Sequence, residues 1–223
     1  MLVGGEWMFR KQKQTFALGL LGGGISILYG SIFYSYFLLG IIDIYVGLTL
    51  SVLVSLTAVV LSLRYQSRSI ISLGLVGGYL PLFSYMGAFG LEGNAIYVAM
   101  GYLFLLNASI LLVSFNKRWV IVNYISFLFN VPSMLALVWL SDSDPISMVY
   151  VGITFTMYLG MTLGYPFKYQ SKLSWWDFTL LALNTFISCV TLYTLFDLAQ
   201  LENFQGLLAL VFCLVYIGLG RFL

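Results

Sequence analysis

The sequence predicts an all-α integral membrane protein with about eight transmembrane helices. Three observations support this prediction: the scarcity of charge, the length of the apolar segments, and the separation of basic from acidic connections. Only 8% of the 223 residues are charged and 61% are hydrophobic, whereas a soluble domain carries about 25% charged residues. So few charges could not cover the surface of a soluble fold of this size, and the long apolar segments indicate membrane spans instead.

The apolar segments follow one another along the whole chain. A window of about twenty residues, the length that crosses the hydrocarbon core, locates them. In order, the spans are predicted at 15–37, 44–63, 70–90, 95–115, 119–140, 147–165, 175–197 and 205–222. The connections between them are short, so no inserted soluble domain is expected. We therefore predict a single polytopic membrane domain over 1–223.

The charged residues support this number of spans and orient them. If the spans alternate from a cytoplasmic N-terminus, one side receives all ten basic residues: Arg10, Lys11, Lys13, Arg64, Arg68, Lys117, Arg118, Lys168, Lys172 and Arg221. The other side receives most of the acidic residues: Asp43, Glu92, Asp142, Asp144, Asp197 and Glu202. Basic residues are retained in the cytoplasm during insertion. Both termini are therefore predicted to be cytoplasmic.

Glycine pairs recur in the first and third predicted spans. Residues 18–23 read LGLLGG and residues 73–78 read LGLVGG, at an offset of 55. In each copy two glycines are four residues apart, a spacing that lets a neighbouring helix approach closely. These glycines are Gly19, Gly23, Gly74 and Gly78. We predict that they pack helices, with a ligand-facing glycine groove as the alternative. The odd-numbered spans begin at a similar period, so we also expect stacked two-helix hairpin repeats.

The glycine segments also resemble those of a known family. The runs LGLLGGGISILYG at 18–30 and GGYLP at 77–81 are similar to those of a widespread bacterial family of multi-pass predicted membrane proteins, a domain of unknown function. The resemblance covers most of the chain and implies many spans in the bacterial cytoplasmic membrane. It implies no activity and no site residues. Relatives are usually longer, so we interpret the chain as a short member or a fragment.

Few residues offer chemistry inside a membrane. Histidine is absent, and no Asp or Glu falls near the middle of a predicted span, where an ionisable group would be functional. Asp177 follows Ser174 by three positions, which predicts a capping box at the start of the seventh span; a role at a cytoplasmic mouth is the alternative. We predict no catalytic residue, no metal site, no cofactor and no enzymatic activity, with a lipid-acting enzyme as the alternative.

Polar uncharged residues lie deeper in the predicted spans. Asn107, Asn130 and Asn184 are each roughly 9–12 residues from a span end, which is near the midplane at a rise of about 1.5 Å per residue. We predict hydrogen bonds between helices, with a polar cavity for an uncharged or zwitterionic group as the alternative. Pro81 and Pro132 lie 11 and 13 residues into their spans, where a helix break predicts a kink or a binding site.

These features suggest two functions. We favour a transporter or carrier of a small or amphipathic molecule, working without proton coupling. Its path would be lined by Asn107, Asn130, Asn184, Gly78, Pro81 and Pro132. The alternative is a non-catalytic membrane scaffold, or a subunit that packs against partner membrane proteins. The expected partners are membrane lipids and either a second copy of the chain or another membrane protein. The basic groups are topology signals, so no nucleic acid is expected.

Overall fold

Helices form all the regular structure in the part of the chain that the computed structural model describes, which is residues 1–11, 13–88, 93–117, 119–169 and 173–220. In chain order they are α1 (Leu2–Arg10), α2 (Gln14–Phe33), α3 (Ile44–Tyr65), α4 (Arg68–Ala88), α5 (Asn94–Lys117), α6 (Val120–Leu140), α7 (Asp144–Tyr169), α8 (Trp175–Leu198) and α9 (Gln205–Gly220). A π-helical segment (Tyr34–Leu38) extends α2, and a short 3₁₀ turn (Glu202–Phe204) precedes α9. The predicted all-α class is confirmed.

Six helices in the described ranges are long and apolar enough to cross a membrane. They are Gln14–Tyr36, Tyr45–Tyr65, Asn94–Ser114, Ile121–Leu140, Asp144–Gly164 and Trp175–Leu198. Each overlaps one of the predicted spans. The other two predicted spans are 70–90 and 205–222, and the last two residues of each lie outside the described part of the chain. Their described parts fall on α4 and α9, whose apolar segments (Arg68–Leu80 and Gln205–Gly218) are shorter. The class of a multi-helix membrane protein is confirmed, and the number of eight spans stays a prediction.

The chain divides into two compact units, Met1–Ser133 and Met134–Leu223. In the second unit α7 packs on α8, and α8 packs on α9. A hydrogen bond between the hydroxyls of Thr185 and Tyr216 links α8 to α9. The prediction of one membrane domain over the whole chain stays a prediction.

In the first unit, two helical hairpins pack against each other. Helix α2 contacts α3 and α4, and helix α3 contacts α4 and α5. Each helix of the α2–α3 hairpin therefore touches the corresponding helix of the α4–α5 hairpin. A buried apolar cluster holds α2, α3 and α4 together: Leu21, Ile25, Tyr29, Ile32, Val54, Ala58, Tyr65 and Ile70. Two stacked hairpins would make these contacts, while the repeat over the whole chain stays a prediction.

Helix α1 was not predicted from the sequence. It runs back along α2, because Gly5 lies against Leu21 and Ala17 whereas Leu2 lies against Gly24. A Cβ placed on Gly5 would lie 2.7 Å from Leu21 Cγ, so the absence of a side chain allows this close approach. Helix α1 therefore covers one side of α2.

Charged side chains link two of the turns that carry basic residues in the first unit. Glu6 Oε1 in α1 lies 2.5 Å from Arg64 Nη2 at the end of α3. The α1–α2 turn and the α3–α4 turn therefore lie at the same end of this unit, as the alternating topology requires. Other charges used in that prediction lie outside the described residues: Glu92, Arg118, Lys172 and Arg221. The cytoplasmic orientation stays a prediction.

Helix α8 begins with the predicted capping box. The Ser174 backbone N–H donates to Asp177 Oδ2 at 3.1 Å, and the Ser174 side chain faces the backbone N–H of Asp177 in return. These contacts satisfy backbone donors that have no partner inside the helix. The structure confirms the capping prediction for Asp177.

Candidate functional site

The second glycine copy, LGLVGG at 73–78, lies in close contact with neighbouring helices. A Cβ placed on Gly74 would lie 2.5 Å from the Cβ of Ala58 in α3. A Cβ placed on Gly78 would lie 2.8 Å from Leu106 Cδ1 in α5. Both distances are shorter than real Cβ contacts. Helix α4 therefore packs closely between α3 and α5. At Gly74 the fixed Ala58 methyl leaves room for glycine alone, whereas a larger residue at Gly78 would require the Leu106 side chain to move.

Tyrosine hydroxyls reach the backbone of this glycine segment. Tyr29 in α2 donates to the Gly74 carbonyl oxygen at 2.8 Å and lies 2.6 Å from the Ser55 hydroxyl in α3. Tyr102 in α5 donates to the Gly78 carbonyl oxygen at 2.5 Å. A buried hydroxyl needs such a partner where water is absent. The second copy therefore joins α2, α3, α4 and α5 by both packing and hydrogen bonds.

The first glycine copy, LGLLGG at 18–23, has different surroundings. No described atom lies within 4 Å of a Cβ placed on Gly19 or Gly23, and the same is true of Gly30. Gly19 and Gly23 line an open groove on α2 with Met1, Thr15, Phe16 and Leu20. We call the exposed side of α2 that carries Gly19, Gly23 and Gly30 the open face. Within the described residues, helix packing at the open face stays a prediction.

Asn107 in α5 is the centre of a buried hydrogen-bond network. Its Oδ1 accepts from the Tyr79 hydroxyl in α4 at 2.9 Å and from the Ser126 hydroxyl in α6 at 2.6 Å. Its Nδ2 donates to Asn130 Oδ1 in α6 and to the Leu103 carbonyl oxygen, both at 2.9 Å. A side-chain amide has two donor hydrogens and two acceptor lone pairs. These four contacts therefore use the full capacity of Asn107.

The structure brings together two of the three predicted asparagines. Asn107 and Asn130 contact each other in the first unit, whereas Asn184 lies in the second unit. Asn184 Nδ2 donates to the Phe155 carbonyl oxygen in α7 at 3.1 Å. All three side chains are buried. Each asparagine therefore bonds to a neighbouring helix.

The sequence predicts a kink or a binding site at two prolines, Pro81 and Pro132. Pro132 lies inside α6 and is exposed, whereas Asn130, two residues earlier, is buried. Positions two apart on a helix do not share a face, so Pro132 and the Asn107–Asn130 contact lie on different sides of α6. Pro81 lies within α4, and its side chain is outside the described part of the chain.

Four residues of these networks were not predicted from the sequence: Tyr29, Tyr79, Tyr102 and Ser126. Two features of the sequence could have indicated Tyr79 and Ser126. Tyr79 lies directly after the second glycine copy, and Ser126 lies four residues before Asn130, on the same face of α6. Polar residues at that spacing in an apolar helix indicate a contact with a neighbouring helix.

Among the described residues, no three His, Cys, Asp or Glu side chains are close enough together to hold a metal ion. Cys189 and Cys213 are free thiols.

The apolar helices, joined by short turns and by buried polar contacts, define the chain as a multi-helix membrane protein. More particularly, it belongs to the family described as Predicted membrane protein (DUF2339), whose model matches residues 1–223. The family resemblance noted in the sequence is thereby confirmed. Comparisons with curated proteins and with solved structures gave no significant match.

Proposed function

We propose that this protein is a non-catalytic membrane scaffold subunit, and that the open face of α2 receives a helix of a partner membrane protein. The supporting observation is the contrast between the two glycine copies. The second copy is closely packed by helices of this chain, whereas Gly19 and Gly23 have no described atom within 4 Å of a Cβ position. A smooth strip of this kind lets a second helix approach in a bilayer, where packing drives association.

The shape of the open face supports a helix as its occupant. Exposed Phe16 and Ile27 flank the glycines, and the groove at Gly19 and Gly23 runs along α2. Gly19, Gly23 and Gly30 repeat at intervals of four and seven residues, which places them on one side of the helix. The strip extends over 12 residues, or about 18 Å at a rise of 1.5 Å per residue.

A carrier would need polar groups that are free to bind its cargo. Asn107 uses all four of its hydrogen-bonding positions within the protein. A cargo molecule at Asn107 would have to displace Tyr79, Ser126 or Asn130. These contacts favour a structural role for the asparagine network, so we propose the scaffold in preference to the carrier.

Photo-crosslinking in native membranes tests this proposal. Phe16 is replaced by a benzophenone-bearing phenylalanine analogue, because Phe16 is 58% exposed on the open face and the glycines are left intact. We expect one protein adduct of defined mass. The mass distinguishes a second copy of this chain from a different membrane protein.

The control variants separate helix packing from random collision. Gly19→Leu/Gly23→Leu fills the open face and should abolish the adduct. Gly101→Leu changes a glycine in α5 that also has no described atom within 4 Å of its Cβ position, and it should leave the adduct unchanged. Adducts with lipid alone, or an adduct that survives Gly19→Leu/Gly23→Leu, would refute the scaffold proposal.

We also propose eight spans in a bacterial cell membrane, with both termini in the cytoplasm. The apolar segments of α4 and α9 support the third and eighth spans, and the one-sided basic residues support the orientation. Cysteine-accessibility labelling checks this topology. A reagent that cannot cross the membrane should label a cysteine at Asp142 in intact cells, and label a cysteine at Lys13 only after lysis.

A further inference from the structure

Basic side chains cluster at the end of the first unit where α1 turns into α2 and α3 turns into α4. They are Arg10, Lys11, Lys13, Arg64 and Arg68. Glu6 and Asp43 are the only acidic residues before position 92 of the sequence, and Asp43 precedes α3 at the opposite end from Arg64. Glu6 therefore faces several positive charges at this end of the unit.

Glu6 holds two arginines beside each other. Its Oε1 lies 3.1 Å from Arg10 Nε and 2.5 Å from Arg64 Nη2. The arginine side chains stay 73% and 58% exposed, respectively. One carboxylate balances only one of the two guanidinium charges, and each guanidinium carries five N–H donors. The pair therefore presents an excess positive charge and further donors to the outside.

Aromatic contacts indicate the depth of this cluster. Lys11 Nζ lies 3.7 Å from the centre of the Trp7 ring, and Trp7 is exposed. Arg64 lies near the ring of Tyr65, which packs edge-on against Phe9. Exposed tryptophan beside lysine and arginine is typical of the level of the lipid headgroups. Such a cluster is expected at the level where a phospholipid presents its phosphate.

We propose that Arg10 and Arg64 together bind the phosphate of an anionic phospholipid headgroup, with Lys11 adding charge at the edge of the site. Arginine suits this ligand because its planar fork donates two parallel hydrogen bonds to phosphate oxygens. A net anionic headgroup is selected over a zwitterionic one because the site carries excess positive charge and, among the described residues of the first unit, Glu6 is the one carboxylate at this end. The site does not include the open face of α2 and does not depend on the proposed scaffold function.

Native mass spectrometry of the full chain in an uncharged detergent tests this site. The chain is titrated with dihexanoylphosphatidylglycerol and, separately, with dihexanoylphosphatidylcholine at constant ionic strength. We expect tighter binding of the phosphatidylglycerol. Inorganic phosphate is then added at an equal concentration to distinguish a lipid site from a free phosphate site.

Two double variants locate the binding. Arg10→Gln/Arg64→Gln should weaken phosphatidylglycerol binding about 30-fold, as expected for the loss of two cations near a membrane surface. Lys168→Gln/Lys172→Gln removes the same charge between the sixth and seventh predicted spans and should leave the affinity unchanged. If circular dichroism shows that the arginine variant does not fold, Arg10→Gln alone is used, with about five-fold weakening expected.

The outcomes are distinct. Loss of affinity in the arginine variant alone supports the site. Equal affinity in the arginine variant and the wild type overturns it, as does equal weakening in the two double variants. Displacement of phosphatidylglycerol by inorganic phosphate at equal concentration overturns the lipid assignment.

Discussion

The two glycine copies share one pattern but have opposite environments. At 73–78 the glycines lie against Ala58 and Leu106, and tyrosine hydroxyls bond to the glycine carbonyls. At 18–23 the corresponding glycines line an open groove. A small-residue spacing permits close helix packing, but it does not determine whether the packing partner belongs to the same chain.

The residue after each copy explains part of the difference. At the offset of 55, Tyr79 corresponds to Gly24. Tyr79 bonds to Asn107 and so connects α4 to α5, whereas Gly24 lies against Leu2 of α1. The residue after the second copy therefore connects α4 to α5, whereas the residue after the first copy lies against the short helix α1.

The largest expected effect comes from adding a side chain in the second glycine copy, at Gly74. Gly74→Leu should lower the free energy of unfolding by about 3 kcal/mol, because the new side chain overlaps Ala58 and overpacking is costly. Gly19→Leu should change it by less than about 0.5 kcal/mol, as for a surface substitution. Unfolding of the isolated chain by SDS in mixed micelles, followed by circular dichroism, measures both. Equal losses in the two variants would contradict the contrast between the copies.

A second expected effect concerns Asn107, to which Tyr79 bonds directly after the second glycine copy. Asn107→Leu should cost about 2 kcal/mol, since it removes three side-chain bonds between helices at about 0.6 kcal/mol each. The same SDS titration measures this cost. Leu105→Ala, an exposed position on the same helix, is the control and should have little effect. A change below about 0.5 kcal/mol for Asn107→Leu would mean that the network contributes no net stability.

A smaller effect is expected in the second unit. Asn184→Leu removes the bond to the Phe155 carbonyl oxygen and should cost about 0.6 kcal/mol. Measured beside Asn107→Leu, it tests whether stability follows the number of bonds between helices. A cost as large as that of Asn107→Leu would show that it does not.

The smallest effect is expected at Gly24, which lies directly after the first copy and contacts α1. Gly24→Ala places a Cβ 3.0 Å from Leu2 Cδ2, the end of a side chain that can turn away. Its cost should stay below about 0.5 kcal/mol, whereas Gly74→Ala should cost about 1–3 kcal/mol, because the Ala58 methyl is fixed to the backbone and cannot turn away. Thermal unfolding of both variants in the same detergent gives the comparison. Similar losses would show that the α1 contact is as rigid as the α3 contact.

The sequence was sufficient to predict helices α2 to α9 because each contains a long apolar segment. Helix α1 was not predicted because it is too short for a membrane-length window. It has only nine residues, and these include Glu6 and Arg10. The capping box at Ser174 and Asp177 was predictable because it depends only on residues close in sequence.

The orientation of each helix about its own axis was harder to predict. Helices α2 and α4 are apolar on nearly every side, so no amphipathic pattern indicates which glycines point inwards. The distance of Asn107 to the span end predicts its depth, but its partners Tyr79, Ser126 and Asn130 belong to other helices. Such partners are determined by tertiary packing, and tertiary packing is set by residues distant in sequence.

The Asn107 network also bears on the order in which the chain assembles as it is made. Ribosomes deliver the N-terminal helices first, so Tyr79 in α4 is synthesised before Asn107 in α5. Asn130 follows 23 residues later, a delay of roughly 1–5 s at typical rates of synthesis. During that interval we expect Tyr79 to be the first partner of the asparagine side chain from another helix. We therefore expect α5 to be held beside α4 until α6 arrives to complete the network.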